Sequence, residues 1–293
     1  MRFHPEKQYI DLIKKILTKG SKEQGRNGNV YKWIGSQMRY PLIDNEIPIL
    51  TTKKMAWDVC LKELLWFISG RTDNTILQEQ GVKIWNGNST REYLDSRGLH
   101  DNFENDLGPI YGHQWRYFNA HYYDADWDYK GKGIDQIGNV IKSLNDEKER
   151  YSRRIIMSAW NPCQLDQMAL PPCHVLAQFH VTSSDHLRCN LYQRSADVGL
   201  GLPFNIASYG FLTHLIAHHC NLKPVELIHT IGDAHIYEEH VKSLEKQIER
   251  IPYTFPKLKI TNHCCEEIDE YEFEDFEIIN YEYHKRIKMD MLA

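Results

Sequence analysis

From residue 153 onward the sequence consists of short apolar runs rich in Ile, Val and Leu, interrupted by one long apolar stretch. The short runs are RRIIMSAW, HVLAQFHV, LRCNLYQRS, LIHTIGDAHIY and FPKLKI, and runs of this kind predict β-strands. The long stretch, PFNIASYGFLTHLIAHHC, is apolar on nearly every face and predicts a buried helix that ends near Asn221. Strands and helices in this order indicate an α/β or α+β fold around one large sheet.

The first half of the chain is helical in two places and irregular after them. Residues 5–18 carry apolar side chains at helical spacing and predict an amphipathic helix, and residues 58–69 predict a more buried one. The region from Trp85 to Lys132 lacks periodicity and predicts mostly loops with a short helix, a type of segment that is often functional. Because no repeat or linker divides the sequence, we expect a single domain over residues 1–293.

Charge and cysteine content narrow the possible functions. The 293 residues include 35 Lys and Arg against 40 Asp and Glu, a net charge of -5, so any anion site must be local and nucleic acid is not expected as the primary partner. The N-terminus lacks the apolar core of a secretory signal, and no run of about 18 apolar residues suggests a membrane span. We therefore expect a soluble intracellular protein. Its seven cysteines are irregularly spaced and odd in number, which favours free thiols.

Cys173 is the cysteine best placed for chemistry. Two prolines precede it in ALPPCHVLAQF, directly before a predicted strand, so its thiol stands at a fixed turn where it can face a cleft. The alternative is a small buried core residue. His174 suggests a Cys–His dyad, but neighbouring side chains on a strand point to opposite faces, which argues against a direct pair. A reactive thiolate then needs another cation, and Arg194 in LYQRSADVGLGLPFN is the candidate.

Three more arginines favour a phosphorylated ligand. Arg26 lies in GRNGN, and Arg153 and Arg154 directly precede a predicted strand. A guanidinium group binds phosphate oxygens in bidentate fashion, although for each arginine alone solvated surface is the expected state. Gly199 and Gly201 form only a partial G-x-G without a βαβ context, so a dinucleotide site is not predicted.

A metal site is not predicted either. His214 and His218 stand four apart on the predicted buried helix, but the glutamate of H-E-x-x-H is missing and no third ligand is suggested. We expect both to be core or surface histidines.

Several segments together resemble the signature blocks of the thymidylate synthase family. MALPPCH, LYQRSADVGLGLPFNIASY and GDAHIYEEHV carry the strongest likeness. The other blocks, in family order, are TTKK at 51–54, KELLWFISG at 62–70, GVKIWNGNS at 81–89, DLGPIYGHQWR at 106–116, RRIIMSAWNP at 153–162 and FEDFEI at 273–278. The resemblance runs from about Arg26 to the C-terminus.

This resemblance implies reductive methylation of dUMP to dTMP. 5,10-Methylenetetrahydrofolate would donate both the one-carbon unit and the hydride and leave as dihydrofolate, so neither a metal nor a nicotinamide cofactor is expected. The family has a large mixed, twisted sheet with flanking helices and forms a homodimer sheet face to sheet face, each site borrowing two arginines, here Arg153 and Arg154, from its partner. The expected location is the cytoplasm, with the nucleus as a second compartment and no membrane association.

The resemblance also implies roles for individual residues. Cys173 would add to C6 of uracil with help from Arg194, while Glu63 and Tyr111 handle protons; burial in an apolar helix should raise the pKa of Glu63. The implied catalytic set is Cys173, Glu63, Tyr111, His174, Arg194 and Asn205. The implied dUMP ligands are Arg26, Arg153, Arg154, Gln193, Arg194, Ser195, Asp197, Asn205, His235 and Tyr237. The implied folate ligands are Lys53 near the glutamate tail, Ile84, Trp85, Asn88, Asp197, Gly201, Phe204 and Met289.

Asn205 is the residue that would read the uracil edge. Its amide can donate to O4 and accept from N3–H. Since an amide could flip to suit cytosine, discrimination requires neighbouring hydrogen bonds that hold one orientation.

Two stretches depart from the usual family pattern. Asn27-Gly28-Asn29 replaces a Thr-Gly-Thr run after Arg26, and Tyr283-His284-Lys285-Arg286 replaces a Pro-His-Pro segment, which predicts a more mobile tail. Two alternative functions are a pyrimidine nucleotide hydroxymethylase of the same superfamily and a non-catalytic RNA-binding protein on this fold. Asn205 and Trp85 favour the synthase. We expect no fused dihydrofolate reductase, because the resemblance uses nearly the whole chain.

Overall fold

The computed structural model describes residues 4–25, 27–182, 185–262 and 265–291. A six-stranded sheet lies at its centre, with strand order β1-β2-β6-β5-β4-β3. The strands are β1 (Ser21–Gly25), β2 (Gly28–Pro41), β3 (Ile156–Ser158), β4 (His174–Thr182), β5 (His186–Asp197) and β6 (Lys223–Tyr237). A separate two-stranded sheet pairs β7 (Lys257–Ile260) with β8 (Phe276–Ile279). All five predicted strand segments form strands, and the predicted mixed sheet is confirmed.

The direction of β5 and β6 determines where a site can form. These two strands run parallel, whereas the other neighbouring pairs of the central sheet run antiparallel. Register places Ser195 opposite Asp233 and Asp197 opposite His235. Open sheets with parallel strands bind ligands beyond the carboxyl ends of those strands. A ligand site is therefore expected at the carboxyl ends of β5 and β6.

Helix α8 (Gly201–His219) connects β5 to β6 and lies in the core. Ile206, Phe211 and Leu215 on it have no exposed surface, and the apolar composition on every face explains why most of the helix is enclosed. Asn221 follows with φ of 52°, the left-handed conformation that commonly ends helices. Both the buried helix and its end near Asn221 are confirmed.

The remaining helices flank the sheet. They are α1 (Lys7–Lys19), α2 (Trp57–Ile68), α3 (Asn74–Glu79), α4 (Asn86–Ser89), α5 (Arg91–Ser96), α6 (Tyr111–Tyr117), α7 (Gln136–Asn145) and α9 (Val241–Ile248). The predictions for α1 and α2 are confirmed. The region between Trp85 and Lys132 holds three short helices, α4 to α6, where one was expected, because short helices leave little periodicity to detect.

The hairpin of β1 and β2 was not predicted. Every residue of β1 is polar or glycine, and Gly35 interrupts β2, so neither strand shows a clear apolar run. The signal available was the alternation of Met38, Tyr40 and Leu42, which are all buried.

The central sheet has one covered and one open face. Leu191 and Leu227 point into the core and have no exposed surface. Asn190, Tyr192 and Ile228 alternate with them on the other face and are half-buried or exposed, with 43% of Tyr192 accessible. No helix in the described part of the chain is long and apolar enough to cross a bilayer.

Candidate active site

Cys173 lies one residue before β4, beside the end of β5. Its carbonyl accepts a hydrogen bond from the Arg194 N–H at 2.8 Å, and its own N–H donates to the Tyr111 hydroxyl at 2.7 Å. The partly exposed thiol lines a cavity of about 500 Å³, called here the Cys173 cavity. The other walls include Gly25, Asn27, Leu170, Arg194, Ser195, Asp197, Asp233, His235 and Tyr237.

The two prolines before Cys173 hold Arg194 in place. Nε of Arg194 donates to the Pro172 carbonyl at 2.8 Å, and Nη2 donates to the Pro171 carbonyl at 2.9 Å. The guanidinium carbon lies 5.5 Å from the centre of the Trp160 ring. A guanidinium group has five N–H donors, so others remain for an anion in the cavity. The turn that positions the thiol thus also positions the cation.

His174 points away from the cavity, as strand alternation predicted. Its ring stacks on Tyr111 with centroids 4.1 Å apart, and Nδ1 lies 3.2 Å from the Tyr209 hydroxyl. Burial lowers the His174 pKa to about 3, so the ring is neutral. A direct proton transfer between His174 and Cys173 is not supported by this arrangement. Tyr111 instead links the two through its ring and its hydroxyl.

Glu63 has the pKa of a proton-transfer group. It lies on α2 and accepts a hydrogen bond from Nε1 of Trp85 at 2.7 Å. Burial raises its pKa to about 7, partly opposed by that bond, which confirms the predicted direction. A carboxyl group with a pKa near neutrality can both accept and release a proton under ordinary conditions.

His235 and Tyr237 lie two residues apart at the end of β6 and both line the Cys173 cavity. Their rings are 5.4 Å apart and perpendicular, and Nδ1 of His235 lies 3.1 Å from Oδ1 of Asp233. Alternation along the strand explains why both side chains reach the same cavity.

Asn205 lies near the start of α8 and is partly exposed. Its Oδ1 accepts a hydrogen bond at 2.8 Å from Nε2 of Gln193, the residue directly before Arg194 in β5. Gln193 is almost completely buried. The helix start is thereby joined to the strand that carries the cation of the site.

A second cavity of about 760 Å³ lies beside the C-terminal segment and is called here the tail cavity. Its walls are Lys53, Lys54, Met55, Ala56, Trp57, Asp58, Leu200, Phe204, Tyr281, Tyr283, Arg286, Ile287 and Met289. Lys53 is buried with Nζ donating to the Gly199 carbonyl at 2.5 Å, and burial lowers its pKa to about 8. The Gly199 N–H in turn donates to Asp197 at 2.8 Å, which connects the two cavities.

Asp197 stays ionised at this junction. Burial alone would raise its pKa, but His240, whose Nδ1 lies 3.8 Å from the carboxylate, and the Gly199 N–H outweigh that effect, so the pKa lies below its ordinary value. A negative charge is thus available at the boundary of the two cavities.

Comparison with known proteins identifies the family. Residues 7–293 match the family model described as thymidylate synthase. The chain belongs to the thymidylate synthase family. It is 49% identical to the thymidylate synthase of Saccharomyces cerevisiae, with 98% of this chain and 96% of that protein covered. The Candida albicans thymidylate synthase is also 49% identical, with 98% and 97% covered.

Bifunctional relatives are equally similar over this region. The bifunctional dihydrofolate reductase-thymidylate synthase of Zea mays is 50% identical over 98% of this chain but only 54% of its own length. The chain thus spans about half the length of such relatives. The family match begins before Arg26, so the resemblance seen in the sequence underestimated its extent.

Some residues implied by the thymidylate synthase resemblance lie away from both cavities. Arg153 and Arg154 are exposed just before β3 and line neither of them. Ile84, Trp85, Asn88 and Gly201 of the implied folate set are absent from the walls of the tail cavity, as far as the described residues show. Arg26 lies outside the described residues, although its neighbours Gly25 and Asn27 line the Cys173 cavity.

The C-terminal tail lies against the rest of the molecule. His284 N–H donates to the Thr51 carbonyl at 2.8 Å, and Nη1 of Arg250 donates to the carbonyls of Thr52 at 2.6 Å and Lys285 at 2.8 Å. These bonds occur where the two family prolines are replaced. Greater mobility of the tail stays a prediction.

Three supporting residues escaped the sequence reasoning. Glu6 is fully buried, and its two carboxylate oxygens each accept two hydrogen bonds from Thr51 and Thr52. His240 donates to the Asp290 carbonyl at 2.8 Å, and His229 contacts Gln193. His240 lies in the family block GDAHIYEEHV and could have been noticed, whereas Glu6 and His229 carry no local signal.

Proposed function

We propose that this chain converts dUMP to dTMP, with 5,10-methylenetetrahydrofolate as one-carbon and hydride donor and dihydrofolate as the second product. The observation that carries the proposal is the Cys173 cavity, which is lined by the Cys173 thiol, the fixed guanidinium group of Arg194 and the polar pair His235 and Tyr237. The adjoining tail cavity is within the size range of small-molecule sites and accommodates a second substrate.

Cys173 acts as the nucleophile. Its thiolate adds to C6 of uracil, the C5–C6 double bond becomes single, and the electron pair moves toward C5 and O4. Arg194 beside the thiol favours the thiolate, because a fixed positive charge lowers the free energy of a nearby anion. When the sulfur leaves at the end of the cycle, the double bond forms again.

The other residues move protons and hold the pyrimidine. Glu63, with its pKa of about 7, relays protons for the O4 and C5 positions, and the Tyr111 hydroxyl serves the same exchange beside Cys173. Asn205 presents its amide to the uracil edge. The folate supplies the methylene carbon and the hydride, which makes a metal or nicotinamide cofactor unnecessary.

The nucleotide phosphate is bound by arginines in a chain of net charge -5. Arg194 and Ser195 line the Cys173 cavity and serve this role together with Arg26, while His235 and Tyr237 contact the deoxyribose. A second copy of the chain supplies Arg153 and Arg154, which are exposed and line neither the Cys173 cavity nor the tail cavity of their own subunit.

A homodimer is supported by the open face of the central sheet. Asn190, Tyr192 and Ile228 leave this face partly apolar and uncovered, and Ile156 of β3 is 41% exposed near the two arginines. Packing this face against its copy covers it and carries Arg153 and Arg154 toward the neighbouring Cys173 cavity. We place the enzyme in the cytoplasm, with the nucleus as a second compartment.

For the folate, Phe204 and Met289 offer apolar walls in the tail cavity and Asp197 offers a hydrogen-bond acceptor. Ile84, Trp85, Asn88 and Gly201 would complete the pocket once the ligand is in place. Lys53 was expected near the glutamate tail, but its ammonium group is buried against Gly199, so we assign it to holding the boundary between the cavities.

The test is a turnover assay on the purified chain. Mixing the protein with dUMP and 5,10-methylenetetrahydrofolate should raise dihydrofolate absorbance in step with dTMP formation. Formation of hydroxymethyl-dUMP with tetrahydrofolate would instead assign the chain to the hydroxymethylase reaction. Tight RNA binding without any nucleotide turnover would contradict the enzymatic proposal.

A further inference from the structure

A chain of hydrogen bonds runs from the core to the base-reading amide. His229 of β6 is fully buried, and its Nε2 lies 2.8 Å from Oε1 of Gln193. Nε2 of Gln193 lies 2.9 Å from the Ser195 carbonyl and 2.8 Å from Oδ1 of Asn205. His229 and Gln193 are enclosed, whereas Asn205 is partly exposed. Asn205 is thus the accessible end of these hydrogen bonds, and its neighbour Phe204 lines the tail cavity.

The Ser195 carbonyl determines the orientation of all three hydrogen-bonded side chains, His229, Gln193 and Asn205. A carbonyl oxygen carries no hydrogen, so the Gln193 atom that faces it must be the NH₂ group. Oε1 of Gln193 then faces His229, which must carry its proton on Nε2 in order to donate. The second N–H of Gln193 needs an acceptor, so Asn205 turns its Oδ1 toward Gln193 and its NH₂ group away.

We propose that His229 is a positioning residue for base specificity, which orients the Asn205 amide through Gln193 so that the enzyme accepts uracil and rejects cytosine. This rests on the proposed function of the site. An outward NH₂ group donates to O4 of uracil but meets the 4-amino group of cytosine, which is also a donor. The remaining lone pair on Oδ1 accepts from N3–H of uracil but faces the unprotonated N3 of cytosine.

The state of the His229 ring agrees with its role as a fixed donor. Burial lowers its pKa to about 3, so it remains neutral at ordinary pH. Nδ1 has no hydrogen-bond partner among the described residues, which leaves Nε2 as the site where its proton is used. Without this donor, the buried Gln193 carbonyl oxygen would be unsatisfied, a cost that favours a different rotamer and releases Asn205.

The experiment compares kcat/KM for dUMP with kcat/KM for dCMP in three variants. His229→Leu removes the donor, and we expect the dUMP preference to fall by at least about tenfold. His229→Gln keeps an N–H near the position of Nε2 and should retain the preference within about threefold. His214→Leu is the matched control. His214 is also a buried histidine, on α8, but its hydrogen bond among the described residues is to the Glu46 carbonyl and not to Gln193.

Loss of stability alone would reduce turnover of both nucleotides equally and leave their ratio unchanged. An unchanged ratio in His229→Leu, or an equal fall in His214→Leu, would overturn the proposal.

A second measurement uses the unaltered protein and needs neither turnover nor a folded leucine variant. Nitrogen-15 NMR on histidine-labelled protein should show one neutral ring protonated on Nε2 from about pH 6 to 8, assigned by its loss in His229→Gln. A ring protonated on Nδ1, or doubly protonated, would refute the orientation argument. Because this spectrum does not depend on catalysis, failure of the proposed function and failure of this inference are distinguishable.

Discussion

The Cys173 cavity and the tail cavity are built in different ways. Register in the sheet fixes most polar walls of the Cys173 cavity, since Ser195 and Asp197 of β5 lie opposite Asp233 and His235 of β6. The tail cavity instead combines residues 53–58, the start of α8 and residues 281–289, which are far apart in sequence. Individual hydrogen bonds hold its C-terminal wall. The Cys173 cavity thus depends mainly on strand register, whereas the tail cavity depends on contacts between segments that are separate in sequence.

The largest expected change in turnover comes from sharing the Cys173 cavity between two subunits. A Cys173→Ser chain and an Arg153→Ala/Arg154→Ala chain should each be inactive alone. Random mixing makes half of the dimers mixed, and each mixed dimer has one intact site, so activity should recover to about a quarter of the wild-type value. Turnover after chain exchange, verified by native mass spectrometry, measures this. Exchange without recovered activity would show that the arginines are not shared.

The next effect concerns Glu63, the buried carboxyl group of α2 that accepts a hydrogen bond from Trp85. Glu63→Gln should lower kcat by about 10²-fold or more and remove the part of the pH profile with an apparent pKa of about 7. A profile that keeps this limb in the variant would assign the pKa to another group.

Glu63 also predicts a pH dependence of stability. Its folded pKa of about 7 lies above its ordinary value of 4.5, so the folded state binds the proton more tightly than the unfolded state. The wild-type protein therefore loses this contribution as pH rises from about 4.5 to 7, and loses no more above that range. Glu63→Gln should lack this loss of unfolding free energy, which is on the order of 3 kcal/mol for the wild-type protein. Denaturant unfolding of both proteins at the two ends of this range measures the difference.

The smallest effect concerns the tail cavity alone. Arg250→Met removes the hydrogen bonds to Thr52 and Lys285 while keeping much of the side-chain volume. We expect the KM for the folate to rise by about three- to tenfold and the KM for dUMP to stay unchanged. Lys259→Met in the two-stranded sheet is the control, since its ion pair with Glu277 is exposed. An equal rise in both KM values would show that the two cavities are not independent.

The sequence predicted the elements whose pattern is local. α8 and strands β4 to β6 follow from continuous or alternating apolar residues, and Cys173 could be singled out because two prolines and a strand surround it. The hairpin of β1 and β2 was missed because its residues are mostly polar and it gains its stability from pairing with β6. The partner of Asp197 and the bond between His229 and Gln193 join residues brought together only by the fold.

The family motifs assigned candidate roles but not their geometry. His174 follows Cys173 directly in the chain, yet it faces Tyr209, and Lys53 turns inward to Gly199 where an outward contact was expected. The direction of the His174 side chain depends on Tyr111 of α6 and Tyr209 of α8, and that of Lys53 depends on the Gly199 carbonyl. No short motif encodes these contacts.

The most direct test of the account is turnover by Cys173→Ser beside Cys163→Ser. A serine hydroxyl is far less ionised than a thiol near neutral pH, so Cys173→Ser should lose turnover by at least about 10³-fold while keeping its fold and much of its dUMP affinity. Cys163 is exposed and lines neither cavity, so Cys163→Ser should retain turnover within about twofold. Dihydrofolate absorbance and dUMP binding by calorimetry give both quantities. Near-normal turnover by Cys173→Ser would contradict the assignment of Cys173 as the nucleophile.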